Sequence, residues 1–283
     1  MSQRQIVLIT GANRGIGLAI AQRLAQSRYT VIITARSLDK AQAAASSISK
    51  DTDQVAGMRL DAEDMASIES CAKEVTEKYG RLDVLIHNAG ESSTPPAPPA
   101  AHRVAKLTQG VNLSDDMKKG TIDPIKGWAT TYHINVIGPH FITKTFAPLL
   151  LKSEAARVLF VSSAVGSLGM DTEPDLGLGF NSAPEAGWPK EDNNILTAYR
   201  PSKSAMNMVM RDWYRILKND GVKVHALCPG RVATEFGQMS VEEAKQQGGT
   251  PVEQPAVFVE TILDGKWDEH QGKFIHEKGV YPW

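Results

Sequence analysis

The chain has 283 residues, of which 42% are apolar and 22% charged. That is the balance of a folded globular protein and excludes a disordered or fibrous one. Its 31 basic and 32 acidic residues leave a net charge of −1, so no basic field draws in nucleic acid or an anionic membrane surface, and neither is expected as a partner.

Strand and helix signals alternate from the start. Ile6–Ile9 is a short β-branched run ending in glycines, and residues 15–27 place Ile16, Ala19, Ile20 and Leu24 at helical spacing. A strand at Val31–Ile33, an Ala-rich helix over 38–49, a strand over 54–60 and a helix with Met65, Ile68, Ala72 and Val75 on one face follow. Leu82–Ile86 reads as a fourth strand. Continuous apolar strands between amphipathic helices predict a parallel sheet covered on both faces, with right-handed crossovers making it doubly wound. After Gly90 the pattern breaks at SSTPPAPPAAHR, and residues 91 to about 126 read as an insertion. The spacing then predicts a long helix over about 128–152, a strand at Val158–Val161 and a second insertion over about 166–196. A helix over 198–218, a strand at Val222–Leu227, a helix over about 251–264 and a last strand at Phe274–Ile275 complete the reading. No repeat or linker divides the chain, so residues 1–283 are expected to form one α/β domain.

The turn Thr10-Gly11-Ala12-Asn13-Arg14-Gly15-Ile16-Gly17 joins the first strand to the first helix. Glycines there permit a tight turn and a close backbone approach to a pyrophosphate, which the exposed N–H groups and helix dipole favour. Dinucleotide folds use an acidic residue about 20 positions further on to hold the adenosine ribose. Here the second strand ends Thr34-Ala35-Arg36-Ser37, with no carboxylate. Arg36, joined by Arg14, can instead clamp a 2′-phosphate, which points to NADP(H) over NAD(H).

These residues, together with those that follow, resemble the short-chain dehydrogenase/reductase family in its compact, carbonyl-reductase-like, Rossmann-type branch. The resemblance spans the chain outside the two insertions. The TGxxxGxG turn is complete. Asp61 matches the acid that holds the adenine amino group, and Asn88-Ala89-Gly90 matches the stretch beside the adenosine ribose, with His87 replacing an asparagine often found before it. Asn135 in HINVIG, Ser163 in SSAVG, and Tyr199 and Lys203 in YRPSK match the catalytic tetrad, with Ser162 as a competing register for the serine. Pro229-Gly230-Arg231-Val232-Ala233-Thr234 matches the segment along the nicotinamide. The resemblance implies cofactor contacts at Gly11, Asn13, Arg14, Gly15, Ile16, Gly17, Arg36, Ser37, Asp61, Asn88, Ala89, Gly90, Tyr199, Lys203, Pro229, Gly230, Val232 and Thr234.

Tyr199 and Lys203 are four residues apart and share a helix face. Free tyrosine ionises near pH 10, and a neighbouring ammonium together with an oxidised nicotinamide would favour the phenolate. In the reductive direction the resemblance makes Tyr199 the proton donor to a ketone or aldehyde oxygen, Ser163 a second hydrogen-bond donor to it, Lys203 the holder of the nicotinamide ribose and Asn135 the anchor of a water. Val232 and Thr234 would fix the carboxamide. The implied activity is carbonyl reduction to an alcohol with NADP(H). An NAD-dependent alcohol dehydrogenase, non-redox catalysis on the same fold, and nucleotide sensing are the alternatives.

Both insertions leave the carboxyl ends of strands, where ligands bind in open α/β sheets. Leu168, Met170, Leu178, Phe180 and Trp188, with Phe236 and Met239 further on, suggest a bulky apolar or aromatic carbonyl substrate, although such side chains also pack loops down. Family dimers pair the two long helices, and the insertion before the second could leave a monomer instead. The aromatics of the ending GKFIHEKGVYPW could pack on the same chain or on a neighbour. Two cysteines exclude a disulfide framework, and seven scattered histidines lack metal-ligand spacing, so no metal is expected. The N-terminal apolar run is too short for a signal peptide and no run nears the roughly 18 residues of a membrane span, so a cytoplasmic location is expected.

Overall fold

A computed structural model describes residues 4–90, 124–170, 185–188, 198–234 and 240–283. Eight strands form one sheet: β1 (Gln5–Ile9), β2 (Tyr29–Ala35), β3 (Val55–Arg59), β4 (Val84–His87), β5 (Arg157–Val161), β6 (Lys223–Leu227), β7 (Phe274–His276) and β8 (Gly279–Tyr281). Their order is β3-β2-β1-β4-β5-β6-β7-β8, parallel throughout except for the last pair. The helices are α1 (Gly15–Ala25), α2 (Leu38–Ile48), α3 (Met65–Tyr79), α4 (Pro124–Tyr132), α5 (Gly138–Leu150), α6 (Tyr199–Leu217), α7 (Val241–Gln246) and α8 (Glu253–Leu263). This is the expected doubly wound α/β architecture.

Alternate residues of each strand enter opposite cores, which is why the strands read as unbroken apolar runs. Ile6 and Leu8 pack with Phe146, Phe160 and Trp213 on the face covered by α3, α5 and α6. Val7 and Ile9 pack with Leu24, Phe258 and Ile262 on the face covered by α1, α2 and α8. Cys71 lies in the first core, where burial pushes its thiol up to about 12. Among the described residues no helix is long and apolar enough to cross a membrane.

Three features depart from the sequence reading. The first insertion ends earlier than expected, because helix resumes at Pro124, and the long helix is broken by a π-turn at His133–Ile137. Phe274–Ile275 is not the final strand, because the chain turns back at once into β8. The six-residue α7 was not expected. Leu178, Phe180, Phe236 and Met239 lie outside the described residues, as does most of both insertions.

Two buried histidines tie the fold to pH. Burial pushes His87 down to about 3 and His225 down to about 4, the second despite its ring hydrogen bond to the Trp267 carbonyl. Their folded pKa values lie below the ordinary 6.5, so the unfolded chain binds more protons as the pH falls. The stability they contribute is complete above about pH 6.5 and is lost on the way down toward their folded values, by up to about 1.4 kcal/mol per pH unit for each histidine. Thermal unfolding between pH 7.5 and 4.5 should follow this slope, and His87→Asn should make it shallower. An unchanged slope in the variant would show that His87 is not buried in its neutral form.

Candidate active site

The parallel order brings the carboxyl ends of β1 to β6 to one edge, and most of the residues singled out from the sequence gather there. At β1, Gly11 and Gly15 take positive φ values of 62° and 57°, which shape the turn before α1. The Arg14 side chain makes no capping bond to α1, whose first-turn amides have no acceptor within the helix. The Asn88 side chain donates to the carbonyls of Thr10 (3.0 Å) and Gly11 (3.2 Å). The Thr10 hydroxyl accepts from the amides of Asn88 (3.0 Å) and Ala89 (2.9 Å). Thr10 thus welds the end of β4 to the phosphate turn, a role the sequence reading passed over although it quoted the residue.

A Cβ on Gly17 would lie 2.4 Å from Asn88 Nδ2 and 2.9 Å from Ala12 Cα. Gly17→Ala should therefore displace both sides of the turn, cost about 1–3 kcal/mol of stability and raise the dinucleotide dissociation constant by about tenfold or more. Thermal melts and a cofactor titration check this. Tight binding at unchanged stability would disprove the close approach.

Asn13 and Arg14 lie in the turn, and Arg36 is exposed at the end of β2 with Ser37 opening α2. The Arg36 carbonyl accepts from Arg59 Nε at 3.2 Å. Asp61 closes β3, its amide bonded to the Ser67 hydroxyl. Beyond β6, Thr234 is buried, and its methyl would lie 3.8 Å from a Cβ on Gly15, so the Pro229–Thr234 segment folds back over the phosphate turn. A parallel bridge between Val232 and Thr250 holds that segment.

The four tetrad residues converge at β5 and α6. Ser163 lies near enough to the Tyr199 phenol to pull its pKa down. Among the described residues the hydroxyl of the buried Ser162 has no hydrogen-bond partner. Lys203 is buried, and its Nζ donates to the Val161 carbonyl at 2.9 Å while standing 5.5 Å from the centre of the Tyr199 ring. Burial pushes the Lys203 ammonium down to about 7. Burial also pushes the Tyr199 phenol above its ordinary range, against the effect of Ser163, which pulls it down. For both groups desolvation by burial outweighs the effect of neighbouring charge.

Asn135 sits fully buried in the π-turn, a kind of irregularity frequent at functional sites. Pro139, four residues on, has no N–H to donate to the Asn135 carbonyl in the ordinary helical pattern. The Asn135 side chain donates to Ser202 Oγ at 3.0 Å, and Ser202 donates to the Tyr199 carbonyl at 2.7 Å, which links the asparagine to the start of α6. Among the described residues Asn135 Oδ1 has no hydrogen-bond partner. Ser202 was missed from the sequence, although it lies inside the YRPSK motif.

The glycine cradle at the start of α1 and the buried Lys203 suit a dinucleotide laid across this edge. Among the described residues no cluster of three or more candidate metal ligands occurs.

A sequence profile described as short chain dehydrogenase matches residues 5–174. The chain is 30% identical over 288 residues to the short-chain dehydrogenase/reductase tropE of Talaromyces stipitatus, covering 99% of this chain and 97% of that one. It is 27% identical to carbonyl reductase (NADPH) 1 of Homo sapiens, covering 98% of each. Its fold is that of the NADPH-bound carbonyl reductase from chicken fatty liver, with a TM-score of 0.73 over the whole of both chains at 24% identity. The putative carbonyl reductase Sniffer of Caenorhabditis elegans is similar as well, with a TM-score of 0.69 at 25% identity over the whole of both chains.

Proposed function

The chain belongs to the short-chain dehydrogenase/reductase family, and on that premise we propose that it reduces a ketone or aldehyde to an alcohol with NADP(H). The observation that carries this reading is the Tyr199 ring 5.5 Å from the Nζ of the buried Lys203, with Ser163 acting on the same phenol, at the edge where the glycine turn lies. A cofactor would be held by the turn Gly11–Gly17, by Arg14, Arg36 and Ser37 at the adenosine end, by Asp61 and Asn88–Gly90, and by Lys203 and Pro229–Thr234 at the other end. When bound, its reduced nicotinamide supplies hydride to the carbonyl carbon.

The protein's own part is to hold the oxygen and deliver a proton. Ser163, just beyond β5, and Tyr199, at the start of α6, can both turn toward one substrate oxygen. Ser163 stabilises the negative charge that develops there, and Tyr199 donates its phenolic proton. Burial keeps that phenol protonated at neutral pH, which suits the reductive direction. Asn135, through Ser202, fixes the turn on which Tyr199 begins α6. The NADPH named in the human and chicken relatives, and the absence of a carboxylate at Arg36, support the choice of cofactor.

The carbonyl compound is bulky and apolar or aromatic. Leu168, five residues beyond Ser163, supports this with a side chain 73% exposed. Loss of reduced-nicotinamide absorbance with 4-nitrobenzaldehyde, acetophenone and acetone tests the reading. NADPH should be consumed well ahead of NADH, and kcat/KM for acetophenone should exceed that for acetone. No consumption with any carbonyl would refute the reductase, and a preference for acetone would refute the bulky substrate.

A further inference from the structure

The strand added beyond the expected last one runs into a segment that grips the loop behind the catalytic serine. The Ser167 hydroxyl donates to the Pro282 carbonyl at 2.8 Å and accepts from the Met170 amide at 3.1 Å. The Gly169 amide donates to the Trp283 carbonyl, and a Cβ on Gly169 would come within 2.6 Å of Pro282 Cβ. Trp283 stacks over Phe274 at 6.4 Å and lies under the Arg211 guanidinium at 5.6 Å. Arg211 belongs to α6, and its Nη1 donates to the Gly272 carbonyl at 2.7 Å. The inner side of the same loop rests on the first turns of α6. Arg200 Nε donates to the Val165 carbonyl at 3.0 Å and the Ser204 hydroxyl donates to the Gly166 carbonyl at 2.5 Å. The contacts form a closed ring from α6 through Trp283 to the loop and back to α6.

We infer that the segment Gly279–Trp283 is a strap that positions residues 166–170 as a wall of the carbonyl-binding side of the site, so that Ser167, Pro282 and Trp283 set affinity and selectivity for the carbonyl substrate without contacting the dinucleotide. The proposal rests on the reductase reading above and adds a second set of determinants to it. The wall begins three residues beyond Ser163, and its anchors on α6 flank Tyr199 and Lys203. Releasing the strap leaves the inner anchors in place but frees Ser167–Met170 on the outer side.

The test compares Ser167→Ala, Trp283→Ala, the double variant and Trp283→Phe, with 4-nitrobenzaldehyde, acetophenone and NADPH as probes. Loss of one hydrogen bond or of the ring contact should raise the KM for acetophenone by about tenfold. The dissociation constant for NADPH should stay within about twofold. The double variant should be no worse than the poorer single one, because both cut the same ring. Trp283→Phe keeps a ring over Phe274 and under Arg211 and should restore most of the loss. Hydrogen exchange at the amides of 166–170 should speed up in both alanine variants. Faster exchange or a lower Tm with an unchanged carbonyl KM would make the strap merely structural and overturn the proposal, as would an equal loss of NADPH affinity. Should Trp283→Ala fail to fold, Ser167→Ala decides by the same criteria. A wild-type protein that binds NADPH but reduces none of the carbonyls would refute the reductase reading, and the strap proposal would fall with it.

Discussion

Tyr199→Phe should lower kcat for 4-nitrobenzaldehyde by about 10²–10⁴-fold, the usual worth of a positioned general acid, while the dissociation constant for NADPH stays within about twofold. The substitution removes one oxygen and keeps the ring whose centre lies 5.5 Å from Lys203 Nζ. The lost atom is the one whose pKa Ser163 pulls down. The wild-type phenol is held protonated by burial, so its proton is available across the neutral range. Steady-state turnover and a fluorescence titration with NADPH separate the two effects. A variant that retains more than a tenth of the parental kcat would show that the proton comes from elsewhere.

Arg36→Ala should raise the KM for NADPH by about 10–150-fold, the equivalent of losing one charge-assisted hydrogen bond worth about 1.5–3 kcal/mol. The KM for NADH should change by no more than about twofold, because that cofactor carries no 2′-phosphate for the guanidinium to meet. Arg36 stands exposed just beyond β2, its main chain pinned by Arg59. Arg59 is itself paired with Asp64 at 3.0 Å. The effect should shrink as salt rises, as expected for an exposed charge. Arg36→Lys keeps the charge but not the planar fork and should fall between the two. Equal losses for NADPH and NADH would remove Arg36 from the phosphate site.

The parallel strands β1, β2, β4 and β5 were legible because each is buried on both faces and reads as a largely apolar run. The strand β8 was not. It has three residues, is partly exposed and lies at the sheet edge, too short for any alternation to register. The helix α7 did leave a signal: Ser240 and Glu243 form a reciprocal capping box, visible as a serine three residues before a glutamate. At the site, residue identities could be read from motif spacing, but the choice between Ser162 and Ser163 depends on the direction in which each leaves the end of β5. Of the two, Ser163 is the one that acts on the Tyr199 phenol. The break at Asn135 was half legible in Pro139, whose missing donor disturbs the helix four residues earlier. The desolvation of Tyr199 and Lys203 comes from packing by distant segments. So does the ring through Ser167, Pro282 and Trp283, which settles that the aromatic ending packs on its own chain.

The account is tested most directly by following the reducing atom itself. Acetophenone is incubated with the wild-type protein and NADPH carrying deuterium at the transferable C4 position, and the alcohol is examined by NMR. The account predicts one deuterium at the former carbonyl carbon, in a single enantiomer, and none in the product formed with unlabelled NADPH. Alcohol without deuterium at that carbon, or consumption of acetophenone with the labelled cofactor intact, would contradict it.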